Sequence, residues 1–323
     1  MDGYGGIDVS KDRLDVLLLH GEQRMGQQFT NSATGFSKLD GWLKRRLQPG
    51  QVHICLEATG PYGEAVAEYL FAQGYTVSVV NPARIKGYAE SQMQRNKTDK
   101  LDAALIADFC RTQHPAVWMP PSPEIRQLQH LVRHLDDLTE ARQQAKNRLG
   151  LPGQSQPVTD HLHAQIAFFD QQLRETKQAI TDLLDHSPDL KQQKDLLLSI
   201  PGLGELTIGK LIAECRDLHA FRDVRQLVAF AGLNPRQHVS GSSIHWKSSI
   251  SRTGSASLRA ALYMPALTAM RYNPLLRAFA QRLSARGLTG KAVVVAVMRK
   301  LLHLVFGVLK SGQPFDANWS TAS

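Results

Sequence analysis

Cysteine is scarce in this chain of 323 residues: Cys55, Cys110 and Cys215 are odd in number and far apart. That excludes a disulfide framework or a C-x-x-C zinc site and fits a reducing, intracellular setting. No basic stretch followed by an apolar one stands at the amino terminus, so no secretory signal is read. No long apolar run escapes charge. The most apolar one, 292–309, holds Arg299, Lys300 and His303, which argues against a membrane span. A P-loop is missing too, because Gly287-Leu288-Thr289-Gly290-Lys291 has the wrong spacing between its glycines. The most informative absence is of negative charge. Residues 224–315 carry 13 Lys or Arg and not one Asp or Glu, whereas residues 1–150 carry 18 basic and 17 acidic side chains. The whole chain is at +9. A basic stretch without acids has no ion-pair partners of its own, and a nucleic-acid backbone supplies the missing anions. Arg236, Lys247, Arg252, Arg259 and Arg271 are the candidate phosphate contacts.

What is present is organised in three parts. The length exceeds the roughly 250–300 residues that one core serves, so several domains are expected. Apolar runs at Gly5–Val9, Leu14–His20, Val52–Glu57 and Thr76–Val80 read as strands, with a further strand at Gln27–Thr30. Helical patterns lie between them, capped by Ser32 or Thr34 and stopped at Gly74, and a closing helix is expected from Thr98 to Arg111. This rhythm predicts an α/β domain over 1–120 with a partly parallel sheet. Pro115, Pro120, Pro121 and Pro123 mark a linker. Over 121–195, Leu162, Ile166, Phe169, Leu173, Thr176, Ile180 and Leu183 alternate four and three apart, which is a heptad seam. A helical coiled-coil hairpin turning at 150–157 is the simplest reading, and plain core packing carries equal weight. The third part, 196–323, reads as mainly α-helical, interrupted by a polar, Ser-rich loop from Arg236 to Ser257. Gly202 and Gly204 stand in a turn that could aim backbone N–H groups at a phosphate.

Four acids stand out by position. Asp8 lies in the first strand, Glu57 ends a mostly apolar one, and Asp99 and Asp102 are three apart on one helix face. The strands of Asp8 and Glu57 are expected to be neighbours, which draws all four toward one sheet edge. Clustered carboxylates repel unless cations sit among them. Two Mg²⁺ ions roughly 3.5–4 Å apart would relieve the repulsion and could assist phosphodiester chemistry. Hard oxygen donors favour Mg²⁺, or Mn²⁺, over zinc. The pairs His130/His134 and His161/His163 have no third ligand and read as surface residues.

The motifs Gly6-Ile7-Asp8-Val9-Ser10-Lys11, Leu56-Glu57-Ala58-Thr59-Gly60 and Asn96-Lys97-Thr98-Asp99-Lys100-Leu101-Asp102-Ala103 resemble the Asp-Glu-Asp-Asp set of bacterial insertion-sequence transposases with a RuvC-like domain. That class includes the Piv-type DNA invertases. Ile200-Pro201-Gly202-Leu203-Gly204, Phe230-Ala231-Gly232-Leu233-Asn234-Pro235, Ser240-Gly241 and Ser257-Leu258-Arg259-Ala260-Ala261-Leu262 resemble the carboxy-terminal transposase domain of the same class. The resemblance implies a RuvC/RNase H-like α/β domain, then the helical hairpin, then a mainly α-helical transposase domain. It implies DNA recombination through a covalent serine–DNA intermediate, with Ser240 as nucleophile and Asp8, Glu57, Asp99 and Asp102 holding Mg²⁺. It also implies a site built between protomers of a dimer or tetramer, donor and target DNA, a guide RNA encoded beside the gene, and a cytoplasmic location with no membrane partner. Spacing alone does not single out Ser240, because Ser242, Ser243, Ser248, Ser249, Ser251 and Ser255 crowd the same stretch and no carboxylate stands near it in sequence. Two other readings stay open. One is a Holliday-junction resolvase-like nuclease using the same acids with water as nucleophile; the other is a non-catalytic nucleic-acid-binding protein.

Overall fold

The computed structural model describes residues 1–58, 60–92, 99–218, 221–236, 239–240, 244–245, 249–251 and 253–317, with the backbone alone at 61, 99–101, 236, 239–240, 244–245 and 249. The chain divides into two compact units, 1–120 and 121–323.

In the first unit, β1 (Gly3–Val9) and β2 (Arg13–His20) form a hairpin, and β3 (Gln23–Thr30) continues it antiparallel. β4 (Val52–Glu57) joins the other side of β1 in parallel, and β5 (Thr76–Val80) extends that side, so the order is β3-β2-β1-β4-β5. The expected neighbourhood of the first strand and the Glu57 strand is therefore present. β3 starts at Gln23, four residues before the expected Gln27, because the tight turn at Gly21 (φ +57°) returns the chain at once into pairing with β2. Alternation sorts the strand residues onto two faces. Ile7, Leu14, Val16, Ile54, Leu56 and Val77 pack on one face against Phe36, Leu39 and Leu43 of α1 (Ala33–Lys44) and Val66 and Leu70 of α2 (Glu64–Ala72). Ser32 caps α1, its hydroxyl accepting from the Gly35 N–H. Each such fully buried side chain contributes about 1.5–3 kcal/mol. Cys55 and Val80 face the opposite side, against Ile85 of α3 (Pro82–Ser91) and Leu105, Ile106 and Phe109 of α4 (Asp99–Gln113).

Asn81-Pro82 looks like a stop in the sequence, yet it starts α3. The Asn81 side chain accepts from the Ala83 N–H, and Pro82 occupies a first-turn position that needs no donor. The expected Thr98 cap of α4 lies outside the described residues.

The second unit is helical. α5 (Pro123–Leu149) and α6 (Gln156–His186) pack along each other, followed by α7 (Pro188–Leu198) and α8 (Glu205–Cys215). At one end of the α5–α6 pair the apolar stripe is core. Leu128, Ile180 and Leu184 close over Gly209 of α8, where an added Cβ would stand 3.1 Å from Ile180 Cγ2. Away from that end, Phe168 is exposed. The remaining helices are α9 (Val224–Phe230), α10 (Ala256–Tyr272), α11 (Pro274–Ala285) and α12 (Gly290–Ser311). Among the described residues, α12 is long and apolar enough to cross a membrane, but half of its apolar window is buried inside the fold. It packs against α7, α9, α10 and α11, with Val297, Leu301, Leu302 and Val305 in the core.

The loop expected over 236–257 contains two short ladders. β6 (Pro235–Arg236) pairs with β9 (Ser249–Ile250), and inside them β7 (Val239–Ser240) pairs with β8 (Ile244–His245). Val239, Ile244 and Ile250 bring β-branched residues into an otherwise polar stretch, and that composition favours extended pairing.

Candidate functional site

Asp8 and Glu57 sit at the carboxyl ends of adjacent parallel strands. The β1–β4 register runs up to Ile7 beside Leu56, and the two acids follow directly. By alternation Asp8 shares the face of Tyr4 and Gly6, and Glu57 shares the face of His53 and Cys55. This is the face that α4 covers. Gly6 makes the covering possible, because a Cβ there would lie 2.2 Å from the Ala103 carbonyl oxygen and 2.3 Å from the Ala107 nitrogen. Asp102 directly precedes Ala103 in α4. Asp102 is half-buried, like Asp8 and Glu57. Asp99 begins α4 as expected, and its side chain lies outside the described residues. Acids in a first helical turn are stabilised by the positive end of the helix dipole.

A fifth carboxylate belongs to this edge. Asp15 of β2 stands directly across from Asp8, so both point to the α4 face. It is 9% exposed, and the Gln28 side-chain amide of β3 donates to its Oδ1 at 2.9 Å. Asp15, Asp8 and Glu57 thus form a row across β2, β1 and β4. The signal for Asp15 was in the sequence: an Asp between Leu14 and Val16 interrupts an apolar strand. Among the described residues, no three His, Cys, Asp or Glu converge tightly enough to hold a metal ion. The donor chemistry of the row is nonetheless uniform carboxylate oxygen, which suits Mg²⁺ or Mn²⁺. The softer donors nearby are engaged elsewhere. His53 Nε2 hydrogen-bonds Ser78 Oγ at 2.8 Å, and burial, aided by His114, lowers the imidazole pKa. Cys55 and Cys110 are buried as free thiols, and the hydrogen bond between them and their desolvation raise the Cys110 pKa.

In the second unit Ser240 occupies the last paired position of β7, opposite Ile244 and just before Gly241. Its side chain, and Ser242, Ser243, Ser248, Lys247 and Arg252, lie outside the described residues. Only the backbone of Arg236 is described, in β6. Arg259 is half-buried, and its Nη1 donates to the carbonyls of Ala231 and Gly254 at 3.0 and 3.2 Å, tying the start of α10 to the preceding turn. Arg271 is exposed, its guanidinium 5.5 Å from the Tyr272 ring centre. A carboxylate does reach this Ser-rich region, from a distant part of the sequence. The hydroxyl of Ser255, the α10 cap, donates to Glu214 Oε2 of α8 at 2.6 Å.

The turn at Gly202 packs closely against α10. Gly202 has φ +110°, and a Cβ there would lie 2.6 Å from Ala269 Cβ in α10. The start of α8 already holds an acid, Glu205, which accepts from Thr181 Oγ1 at 3.0 Å and lies 3.7 Å from Lys194 Nζ.

Comparison with known proteins adds a decisive observation. The chain is 34% identical over 316 residues, 97% of each chain, to the pilin gene-inverting protein of Moraxella bovis, and equally to that of Moraxella lacunata. Residues 5–150 match the Asp-Glu-Asp-Asp transposase model of the IS110 type, and residues 194–281 match the model described as transposase IS116/IS110/IS902 family. The chain belongs to the IS110 family of transposases. It is a DNA recombination enzyme. This transposase is also 24% identical over 250 residues to the transposase for insertion sequence element IS1111A of Coxiella burnetii, covering 68% of this chain and 66% of that protein. The model over 5–150 spans Asp8, Asp15, Glu57, Asp99 and Asp102, and the one over 194–281 spans Ser240.

Proposed function

We propose that this transposase cuts and rejoins DNA through a phosphoserine ester on Ser240, with Asp8, Glu57, Asp99 and Asp102 holding Mg²⁺, or Mn²⁺ in its place. The observation that carries the metal site is the register of Asp8 beside Glu57 beneath the helix that bears Asp99 and Asp102. The resemblance of the Ser240-Gly241 motif supports the choice of nucleophile. Bound Mg²⁺ would supply positive charge for the phosphate and the departing oxygen. The Ser240 Oγ loses its proton and bonds to phosphorus, the P–O bond to the neighbouring nucleotide breaks, and the released sugar oxygen takes up a proton. The ester conserves the energy of the broken bond, so the reverse attack rejoins DNA without ATP.

The acid-free region 224–315 suits a nucleic-acid backbone, both of donor and target DNA and of a guide RNA encoded beside the gene. The α5–α6 pair supports a coiled-coil arm that joins protomers in a dimer or tetramer. The working compartment is the cytoplasm. The relatives named for inverting pilin genes support DNA inversion as one outcome of the exchange.

The test is a trapped protein–DNA adduct mapped by peptide mass. Ser240→Ala should yield no adduct while DNA binding persists, and Asp8→Ala, Glu57→Ala, Asp99→Ala and Asp102→Ala should each abolish cleavage. Attachment at another serine would overturn the assignment of Ser240. Metal-dependent cleavage without any adduct would instead establish the resolvase-like reaction with water, and full cleavage in metal-free buffer would reject the metal site.

A further inference from the structure

In the second unit, a pocket of about 560 Å³ opens between one face of α12, α11 and the root of the β6–β9 pair. That is within the range of small-ligand sites. Val295 and Ala296 of α12 and Ile250 of β9 give it an apolar lining, and Leu288, 41% exposed, stands at it. Phe279 of α11 offers a half-buried ring, with the Arg282 guanidinium 5.5 Å from its centre. Lys291, Arg299, Lys300 and His303 also line it, and no acid stands among its described lining residues.

Each feature points to the same ligand class. An aromatic face beside an apolar floor takes a flat heteroaromatic ring, and cations around it take a phosphate. Burial, aided by Lys300 and Arg299, lowers the pKa of His303, so near neutral pH its imidazole is a neutral hydrogen-bonding group suited to a base edge. A flat membrane surface would meet the cations without entering the concavity that holds the ring and floor. The pocket also adjoins the root of the hairpin whose inner pair carries Ser240. A strand exchanged between duplexes has to leave its old partner before it pairs with the new one.

We propose that this pocket binds one unstacked nucleotide of a DNA strand, its base on Phe279 and its phosphate among Lys291, Arg299 and Lys300. The proposal rests on the recombinase reading and deepens it, since it places an unpaired DNA end beside the Ser240 hairpin.

The test uses the full chain and two DNA duplexes of the same sequence, one blunt and one with a short single-stranded overhang carrying 2-aminopurine. The overhang duplex should bind about ten-fold more tightly, with the probe's fluorescence changed by stacking. Phe279→Leu keeps an apolar side chain but removes the ring face, and it should erase the fluorescence change and most of the preference. Ala296→Trp fills the pocket from a half-exposed helix position and should do the same without touching the core. Equal affinity for both duplexes in the unaltered protein would overturn the pocket while leaving the recombinase reading intact, and so would a preference that survives both variants. A tighter fit of the same overhang as RNA would also overturn it. Failure to bind either duplex would sink the pocket and the DNA reading together.

Discussion

Gly6→Ala perturbs the acid edge without altering any acid. The added Cβ would start 2.2 Å from the Ala103 carbonyl oxygen, where real contacts stay above about 3.0 Å, so α4 has to retreat by about 0.8 Å or tilt. The opposing atoms are helix backbone, which cannot swing aside as a side chain can. Overpacking of this kind costs about 1–3 kcal/mol. It should appear as a lower urea midpoint with an unchanged m-value. The larger effect should be on catalysis. α4 carries Asp99 and Asp102 over the strands of Asp8 and Glu57, and a misplacement near 1 Å at a reacting site costs about 100-fold in rate. Gly5→Ala is the matched control. It adds the same methyl on the opposite face, where the nearest atom is Ile54 Cγ1 at 3.3 Å, a side-chain contact that needs a shift of only a few tenths of an ångström. DNA cleavage by the two variants, measured at saturating Mg²⁺ beside urea titrations, separates the explanations. Near-normal cleavage by Gly6→Ala, or an equal loss in Gly5→Ala, would refute the claim that this close approach sets the geometry of the acids.

Two further predictions concern charge. Asp15→Asn keeps an oxygen to accept from Gln28 but removes one of two negative charges facing each other across β1 and β2. In EDTA it should therefore stabilise the fold by about 0.2–1 kcal/mol, seen as a higher melting temperature, and a drop would contradict the like-charge argument. His53 is buried against Ser78 with its pKa lowered, so the unfolded chain takes up a proton that the folded one resists. The stability it contributes is complete above the ordinary imidazole pKa, about 6.5, and is lost as pH falls from there through the lowered folded-state value. The urea midpoint should fall between pH 7.5 and pH 5.5, and His53→Gln, which can still bond Ser78, should lessen that fall; equal slopes in both proteins would reject His53 as the source.

The sequence by itself determined what local pattern can carry. Alternating and β-branched runs specified the strands, because side chains of a strand point to opposite faces whatever the rest of the fold does. They placed Asp8 in the first strand and Glu57 at the end of another, and the parallel pairing of β1 with β4 followed from the α/β rhythm. The absence of acids over 224–315 needed no fold at all to point to a polyanion. Tertiary structure decided everything that depends on which distant residues meet. Asp15 looked like one more charge until the β1–β2 register set it opposite Asp8. Gly6 was only a small residue in a motif until α4 lay against it, and Gly202 only a turn until α10 did. The Ser-rich stretch has no carboxylate near it in sequence, and Glu214 arrives from α8 to meet Ser255. The basic pocket joins α11, α12 and a hairpin root, and no local signal records it. Pairing register and helix packing are long-range properties, fixed by the burial of many side chains at once, so a window of a few residues carries no trace of them.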